Sequence, residues 1–351
     1  MSPIKKILVI KPSALGDVIQ TIPAVRVIKN LMPESEISWV VSGKFRKIVE
    51  MVDAVSEVYD FKRDKWGNIL FLPVTLIEMI SLIIKIRMKK FDICFDFQGL
   101  FRSGLITWLS GAKIKAGFAD AREFAAMFYN RKCPIRRDSV NSVERYIGLV
   151  SEVSGKKEKQ EVRYRLNVPH PILKLGEVMW FKPGTKGPKI CFMPGSQWHS
   201  KRWDVENYRK TVFFLRDKVD ARMIITGTRE EEEIGNRIVY GCEKAMNLCG
   251  KTDILSLTGI LSLSDLVITN DNGAMHLAAA LGKKMICIFG PSSPERTGPE
   301  GKGIFIFRSK LPCAPCFKRK CPKGRCMTDI SVSIVASRAL EMLDMENRAS
   351  K

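Results

Sequence analysis

Three runs of this 351-residue chain place chemically competent side chains just beyond apolar stretches. KILVI is followed by KPSALGD, ending in Gly16-Asp17. KICFM is followed by PGSQWHSK, which carries Ser196 and Lys201. LVIT is followed by NDNGAMH, with Asp271, Asn272 and Gly273 ahead of His276, in a chain that has only 3 histidines. A turn of small residues that opens a helix offers unpaired N–H groups and the positive end of a helix dipole, which suits a phosphate. Gly273 keeps a Cβ out of the way of such a ligand, and His276 adds a donor in the first helical turn. Asp17 has two compatible readings. It can cap the helix it opens, or it can stand in the site as a catalytic carboxylate. Lys11, Ser13 and Gly16 beside it have the make-up of an anion-contacting loop. After RMIIT come Gly227-Thr228-Arg229 and the glutamates 230 to 233, which can bond a ribose or cap a helix.

The elements that must hold these groups are short Ile- and Val-rich strands alternating with helical patterns. The expected strands are KILVI (6–10), EISWVV (36–41), DICFDF (92–97), KICFM, RMIIT, LVIT and MICIF. Such alternation predicts parallel sheets with helices on both faces. The charged and proline-punctuated tract 154–171 separates two series of this kind, predicting one domain over 1–170 and a second over 171–351, the latter closing with a helix. In doubly wound domains ligands bind beyond the carboxyl ends of the strands, where all three runs fall. The fold class is therefore α/β, with two Rossmann-like domains expected to face a central cleft.

Lys and Arg number 58 against 37 acids, a formal charge of +21, which directs the chain toward phosphates, nucleic acids or an anionic membrane. The N-terminal apolar stretch is too short for a signal peptide, so a cytoplasmic protein is expected. The tract ILFLPVTLIEMISLIIKI (69–86) contains Pro73, Glu78 and Lys85, and is expected to lie on a sheet or a membrane surface rather than span a bilayer. Six of the 10 cysteines are scattered, mostly in strand-like runs, and are expected to be reduced core residues. The other four, Cys313, Cys316, Cys321 and Cys326, are spaced C-x2-C-x4-C-x4-C among cations. That set is one zinc can use, although its third and fourth members are closer than in a two-knuckle ribbon.

The chain resembles the ADP-heptose lipopolysaccharide heptosyltransferases, inverting glycosyltransferases of the GT-B fold. The motifs that carry the resemblance are KPSALGDVIQTIPA, DFQGLFRSG, AREFAAMFYNRK, PGSQWHSKRW, and NDNGAMHLAAALG with FGPSSPERTGP. The resemblance implies that Asp17 is the general base. It implies that Ser196 and Lys201 meet the donor diphosphate, Glu231 the ribose, and Asp271, Asn272, Gly273 and His276 the phosphate end of ADP-heptose. Ser13, Arg102 and Arg122 fall on the acceptor side, the acceptor being lipid A-Kdo or a heptosylated core. The family commonly has Thr where this chain has Asn272. No metal site of the Asp-x-Asp kind is evident and no cofactor is expected to be required, with zinc at the four cysteines as an accessory reading. The expected location is the cytoplasmic face of the inner membrane, held peripherally by its anionic surface. The competing reading is a basic nucleic-acid-binding protein using the cysteines as a zinc module. Its cations are spread through both domains and no recognition motif is present, so no nucleic-acid partner is expected.

Overall fold

A computed structural model describes residues 4–61, 72–134, 141–156, 164–181, 187–321 and 324–349. The chain divides into two compact units, residues 1–167 and 168–351.

The first unit runs β1 (Lys6–Ile10), α1 (Leu15–Leu31), β2 (Glu36–Val41), α2 (Arg46–Val49), β3 (Glu57–Asp60), α3 (Leu72–Lys89), β4 (Ile93–Asp96), α4 (Phe101–Leu109), β5 (Ile114–Phe118), β6 (Arg131–Cys133) and α5 (Ser142–Ser154). Its six strands are ordered β3-β2-β1-β4-β5-β6 and every pairing is parallel. Ile7 to Ile10 of β1 are wholly inaccessible, as a strand covered on both faces requires, so the strand reads as a continuous apolar run rather than an alternating one.

The second unit comprises α6 (His170–Trp180), β7 (Lys189–Met193), α7 (Val205–Val219), β8 (Arg222–Ile225), α8 (Glu232–Val239), β9 (Ala245–Asn247), α9 (Ile254–Ser262), β10 (Leu266–Asn270), α10 (Gly273–Ala280), β11 (Met285–Phe289), α11 (Pro294–Thr297), β12 (Ile304–Arg308), α12 (Arg325–Thr328) and α13 (Val332–Ala349). Its sheet, β12-β11-β10-β7-β8-β9, is also all parallel. The two orders are the same winding. In each the first strand pairs with both the second and the fourth, and the direction of travel reverses there. The switch points are β1/β4 and β7/β10, and the runs singled out above leave β1, β7 and β10.

Register carries this down to single residues. Ile10 lies opposite Val40 on one side and Asp96 on the other, so the loop after β1 emerges beside the DFQG loop after β4. Met193 lies opposite Thr269, which brings Pro194 to Asn270. The apolar tract forms α3 where it is described, and residues 69–71 lie outside the described ones. Leu82, Ile83 and Ile86 of α3 join the core over the first sheet. No helix among the described residues is long and apolar enough to cross a membrane.

Candidate active site

In the first unit the site is built on Lys11 and Asp17. Asp17 is the third residue of α1. One carboxylate oxygen accepts the Ala14 N–H at 3.3 Å, while the side chain stays 45% exposed. The carboxylate therefore caps its helix and still meets solvent. Lys11 is not the anion contact its loop suggested. Its Nζ is buried and donates to the Phe97 carbonyl at 3.0 Å and the Tyr146 hydroxyl at 2.9 Å, with Asp17 at 4.0 Å. Burial works against the ammonium, but Tyr146, Asp17 and Asp96 outweigh it and raise the Lys11 pKa above its ordinary value. An inward-facing cation thus stands behind the outward-facing carboxylate.

Asp96 shapes the neighbouring loop. It accepts N–H bonds from Gln98 (2.8 Å) and Gly99 (3.1 Å) and a hydroxyl bond from Tyr129 (2.7 Å). These bonds end β4 at Asp96 rather than at Phe97. Burial pushes the Asp96 pKa up, and the Tyr129 and Ser103 hydroxyls pull against that. Gly99 takes φ +65°, and a Cβ there would lie 3.4 Å from that of Ala121, which brings the 119–124 segment alongside. The Gly99 carbonyl accepts the Arg122 N–H at 3.0 Å, and Arg102 is the second residue of α4. Both guanidinium groups are exposed and neither has an ion pair among the described residues. Ser13 is half-buried in the loop after β1.

In the second unit each residue of NDNG has its own task. Asn270 is fully buried and ties three segments together. Its amide nitrogen donates to the Pro194 carbonyl at 2.5 Å, and its oxygen accepts from Trp203 N (3.2 Å) and the Tyr208 hydroxyl (3.0 Å). Asp271 pairs with Lys201 at 2.6 Å and accepts the Ser292 hydroxyl at 2.6 Å. Asn272 caps α10 by accepting Met275 N–H at 2.9 Å, and its amide donates to Gly195 O (2.9 Å) and Thr269 Oγ1 (3.2 Å). Gly273 is the first residue of α10, so its N–H and that of Ala274 have no intrahelical acceptor. His276 is 6% exposed and engaged within the protein.

Ser196 donates to the Asp271 carbonyl at 2.9 Å, so the loop after β7 and the turn after β10 form one body. Glu231 is buried and accepts Thr228 N–H at 2.9 Å, the capping reading of the glutamate run. Its other oxygen lies 3.9 Å from Arg202, and a Cβ on Gly195 would come within 2.0 Å of it. A Cβ on Gly227 would lie 2.6 Å from Oε2, so Gly195 and Gly227 together make room for this carboxylate. The structure brings Ser196, Lys201, Asp271, Asn272 and Glu231 together. Sequence reasoning assigned no part to Asn270, Ser292, Arg202 or Tyr146. A polar residue closing a buried strand was a usable signal for Asn270; Ser292 offered none.

The cysteine-rich segment leans on these loops. Ser200 Oγ donates to Lys318 O at 2.6 Å, Phe317 N–H to Pro291 O at 2.8 Å, and a Cβ on Gly290 would meet Met327 Sδ at 2.3 Å. Cys313 is exposed, Cys316 and Cys321 half-buried and Cys326 buried. Burial pushes the Cys326 thiol up, aided by the other three cysteines nearby. As placed, no group of three or more His, Cys, Asp or Glu among the described residues converges as a metal would require.

The family model for glycosyltransferase family 9 (heptosyltransferase) matches residues 79–327. Lipopolysaccharide heptosyltransferase 1 of Pseudomonas aeruginosa is 28% identical over 323 residues, covering 90% of this chain and 87% of its own. Lipooligosaccharide heptosyltransferase 2 of Campylobacter jejuni is 25% identical over 350 residues, covering 96% and 98%. Among solved structures, an E. coli heptosyltransferase with ADP superposes at a TM-score of 0.78 with 25% identity, covering 96% of this chain and 99% of its own. E. coli ADP-heptose heptosyltransferase II reaches 0.80 at 22% identity, covering 97% and 99%. These superpositions cover nearly the whole of this chain, both of its parallel six-stranded sheets included.

Proposed function

We propose, from the premise that this chain belongs to glycosyltransferase family 9, the heptosyltransferases, that it moves a heptose from ADP-heptose to the inner core of lipopolysaccharide with inversion at the anomeric carbon. The donor reading is supported by the relatives' names and by the E. coli enzyme solved with ADP-2-deoxy-2-fluoro heptose. The observation that carries the site assignment is the pairing of Lys201 with Asp271 at the mouth of α10, at the second switch point.

In this reading the second unit holds the donor. An ammonium has three donors, and Asp271 takes one of those of Lys201, leaving others for a diphosphate oxygen. The N–H groups of Gly273 and Ala274 add fixed dipoles, and Asn272 contributes by setting the turn rather than through its amide. Glu231 supplies the ribose contact, and Ser196 and His276 complete the donor side. The first unit supplies the base and, through Ser13, Arg102 and Arg122, the contacts for an acidic acceptor. Asp17 takes the proton of the acceptor hydroxyl. The hydroxyl oxygen bonds the anomeric carbon, the bond from that carbon to ADP breaks, and ADP leaves with the electron pair. Protein donors meet the charge that builds on the diphosphate, so the transfer needs no divalent ion. A lipid-anchored acceptor places the enzyme peripherally at the cytoplasmic face of the inner membrane.

The test is transfer to a soluble, deacylated acceptor with EDTA present. Asp17→Asn is expected to lose about 10²- to 10⁴-fold in kcat with donor binding intact. Wild-type turnover in that variant removes Asp17 as the base, and loss of wild-type activity that only Mg²⁺ restores removes the metal-free cradle.

A further inference from the structure

More than half of the large apolar side chains exposed among the described residues fall between positions 76 and 127. They gather on two neighbouring helices and the turn that adjoins the second. On α3, Ile77, Ile80, Ile84 and Met88 recur at three- and four-residue steps and face outward with Leu76, opposite Leu82, Ile83 and Ile86, which enter the core. A surface helix ordinarily turns polar residues outward, so α3 has one apolar face too many for water alone. Beside it, Leu109 of α4 packs against the same core cluster, and a Cβ on Gly111 would lie 4.0 Å from Arg87 Nε. Trp108 of α4 is 55% exposed, with Phe128 at 6.5 Å, and the adjoining turn leaves Phe124 84% and Met127 70% exposed.

The charges around this face choose its partner. Lys85, Arg87 and Lys90, at the carboxyl end of α3, are exposed and have no ion pair among the described residues, whereas Lys89 is taken by Glu57 at 2.7 Å. A second copy of the chain would bring the same cations to the contact, and a neutral apolar partner would leave them unanswered. A surface with lipid phosphates over an apolar layer answers both features. We infer that the outer face of α3, continued by Trp108, Phe124 and Met127, lies in the interface of an anionic bilayer, with Lys85, Arg87 and Lys90 on the headgroup phosphates. The helix rests parallel to the membrane, its outward side chains at the headgroup–acyl boundary and its inner face still on the sheet. This rests on the proposed reaction, whose acceptor is lipid-anchored, and gives the enzyme a defined side toward that lipid.

The full chain is sedimented with phosphatidylethanolamine/phosphatidylglycerol vesicles and with phosphatidylcholine vesicles, all without glycolipid, at low and high salt. Wild type is expected to bind the anionic vesicles, and less so at high salt. At about fivefold per cation near such a surface, Lys85→Ser/Arg87→Ser/Lys90→Ser loses on the order of 100-fold in partitioning. Ile80→Ser/Ile84→Ser loses at least about 10-fold. Brominated lipid quenches wild-type tryptophan fluorescence more than that of Trp108→Phe. Equal binding to both vesicle types, unchanged binding by both variants, equal quenching, or a soluble dimer that Ile80→Ser/Ile84→Ser dissolves would each overturn the docking face. Because the vesicles carry no acceptor, failure of wild type to act on the soluble acceptor counts against the proposed reaction alone.

Discussion

Lys201→Met and Asp271→Asn, made singly and together, test whether the donor cradle is a real pair. The two groups meet at 2.6 Å with side chains 15% and 7% exposed, and the Asp271 carboxylate has Ser292 as its other side-chain partner. Lys201→Met leaves that carboxylate buried on one hydroxyl. The cost is about 3 kcal/mol, at the low end for a broken buried pair because Lys201 keeps some water. Asp271→Asn retains an acceptor for both neighbours and costs about 1 to 2 kcal/mol. The double variant leaves neither charge stranded, so it is expected to be more stable than the sum of the singles predicts, by about 1 to 2 kcal/mol. Urea unfolding gives these numbers, and donor kinetics give the second half of the test. Losing one charge-assisted bond to the diphosphate lowers kcat/KM about 10- to 100-fold in Lys201→Met. Asp271→Asn, which keeps the ammonium, loses less. Stabilities that add to within about 0.5 kcal/mol would refute the pair, and an unchanged kcat/KM in Lys201→Met would refute its place at the donor.

The raised pKa of Lys11 gives a pH signature. Its folded value lies above the unfolded one, so its contribution is fully present below about pH 10.5 and fades as pH rises through the folded value. The stability deficit of Lys11→Met in urea is therefore expected to be constant from about pH 6 to 9 and to shrink above about 10.5; a deficit that grows with alkalinity contradicts the buried ammonium. Thiol labelling at pH 8 separates the cysteines. Cys94, Cys191 and Cys249 are pushed up to about 12 by burial and are expected to react only on unfolding, whereas Cys313 reacts at once. Mass spectrometry of the labelled peptides reads this out, and a Cys313 that stays silent until a chelator is added would mean that the four-cysteine cluster holds a metal.

The central strands were legible because they are buried on both faces. KILVI, EISWVV, KICFM and MICIF match β1, β2, β7 and β11 residue for residue. The strands that escaped are β5 and the four sheet edges, β3, β6, β9 and β12. EVYD, RKC and AMN are short and partly polar because an edge meets water, and they leave no continuous apolar run to find. The site divides similarly. Groups tied to a strand-to-helix turn, such as Asp17 and Gly273, are marked by local pattern. Asn270 and Ser292 act through partners distant in sequence, and no spacing rule reports them. The Lys11 side chain was read as an anion contact because it stands among the small residues of the turn after β1. Here Phe97, Tyr146 and Asp17 supply enough polar partners to hold it inward.

The identical winding of the two sheets bears on how the protein is made. Among the described residues each sheet is drawn wholly from its own half of the chain, the last strand of the first ending at Cys133, and neither lends a strand to the other. On the ribosome the first half can reach its native pairing while the second is still being translated. That order matters because the halves present rival central strands, KILVI and KICFM, to the same kind of parallel slot. Parallel pairing is slow, and two equivalent sheets searching at once can exchange strands. Vectorial synthesis closes the first slot before the competitor emerges, so refolding of the full chain from urea is where such swapped species are expected to accumulate.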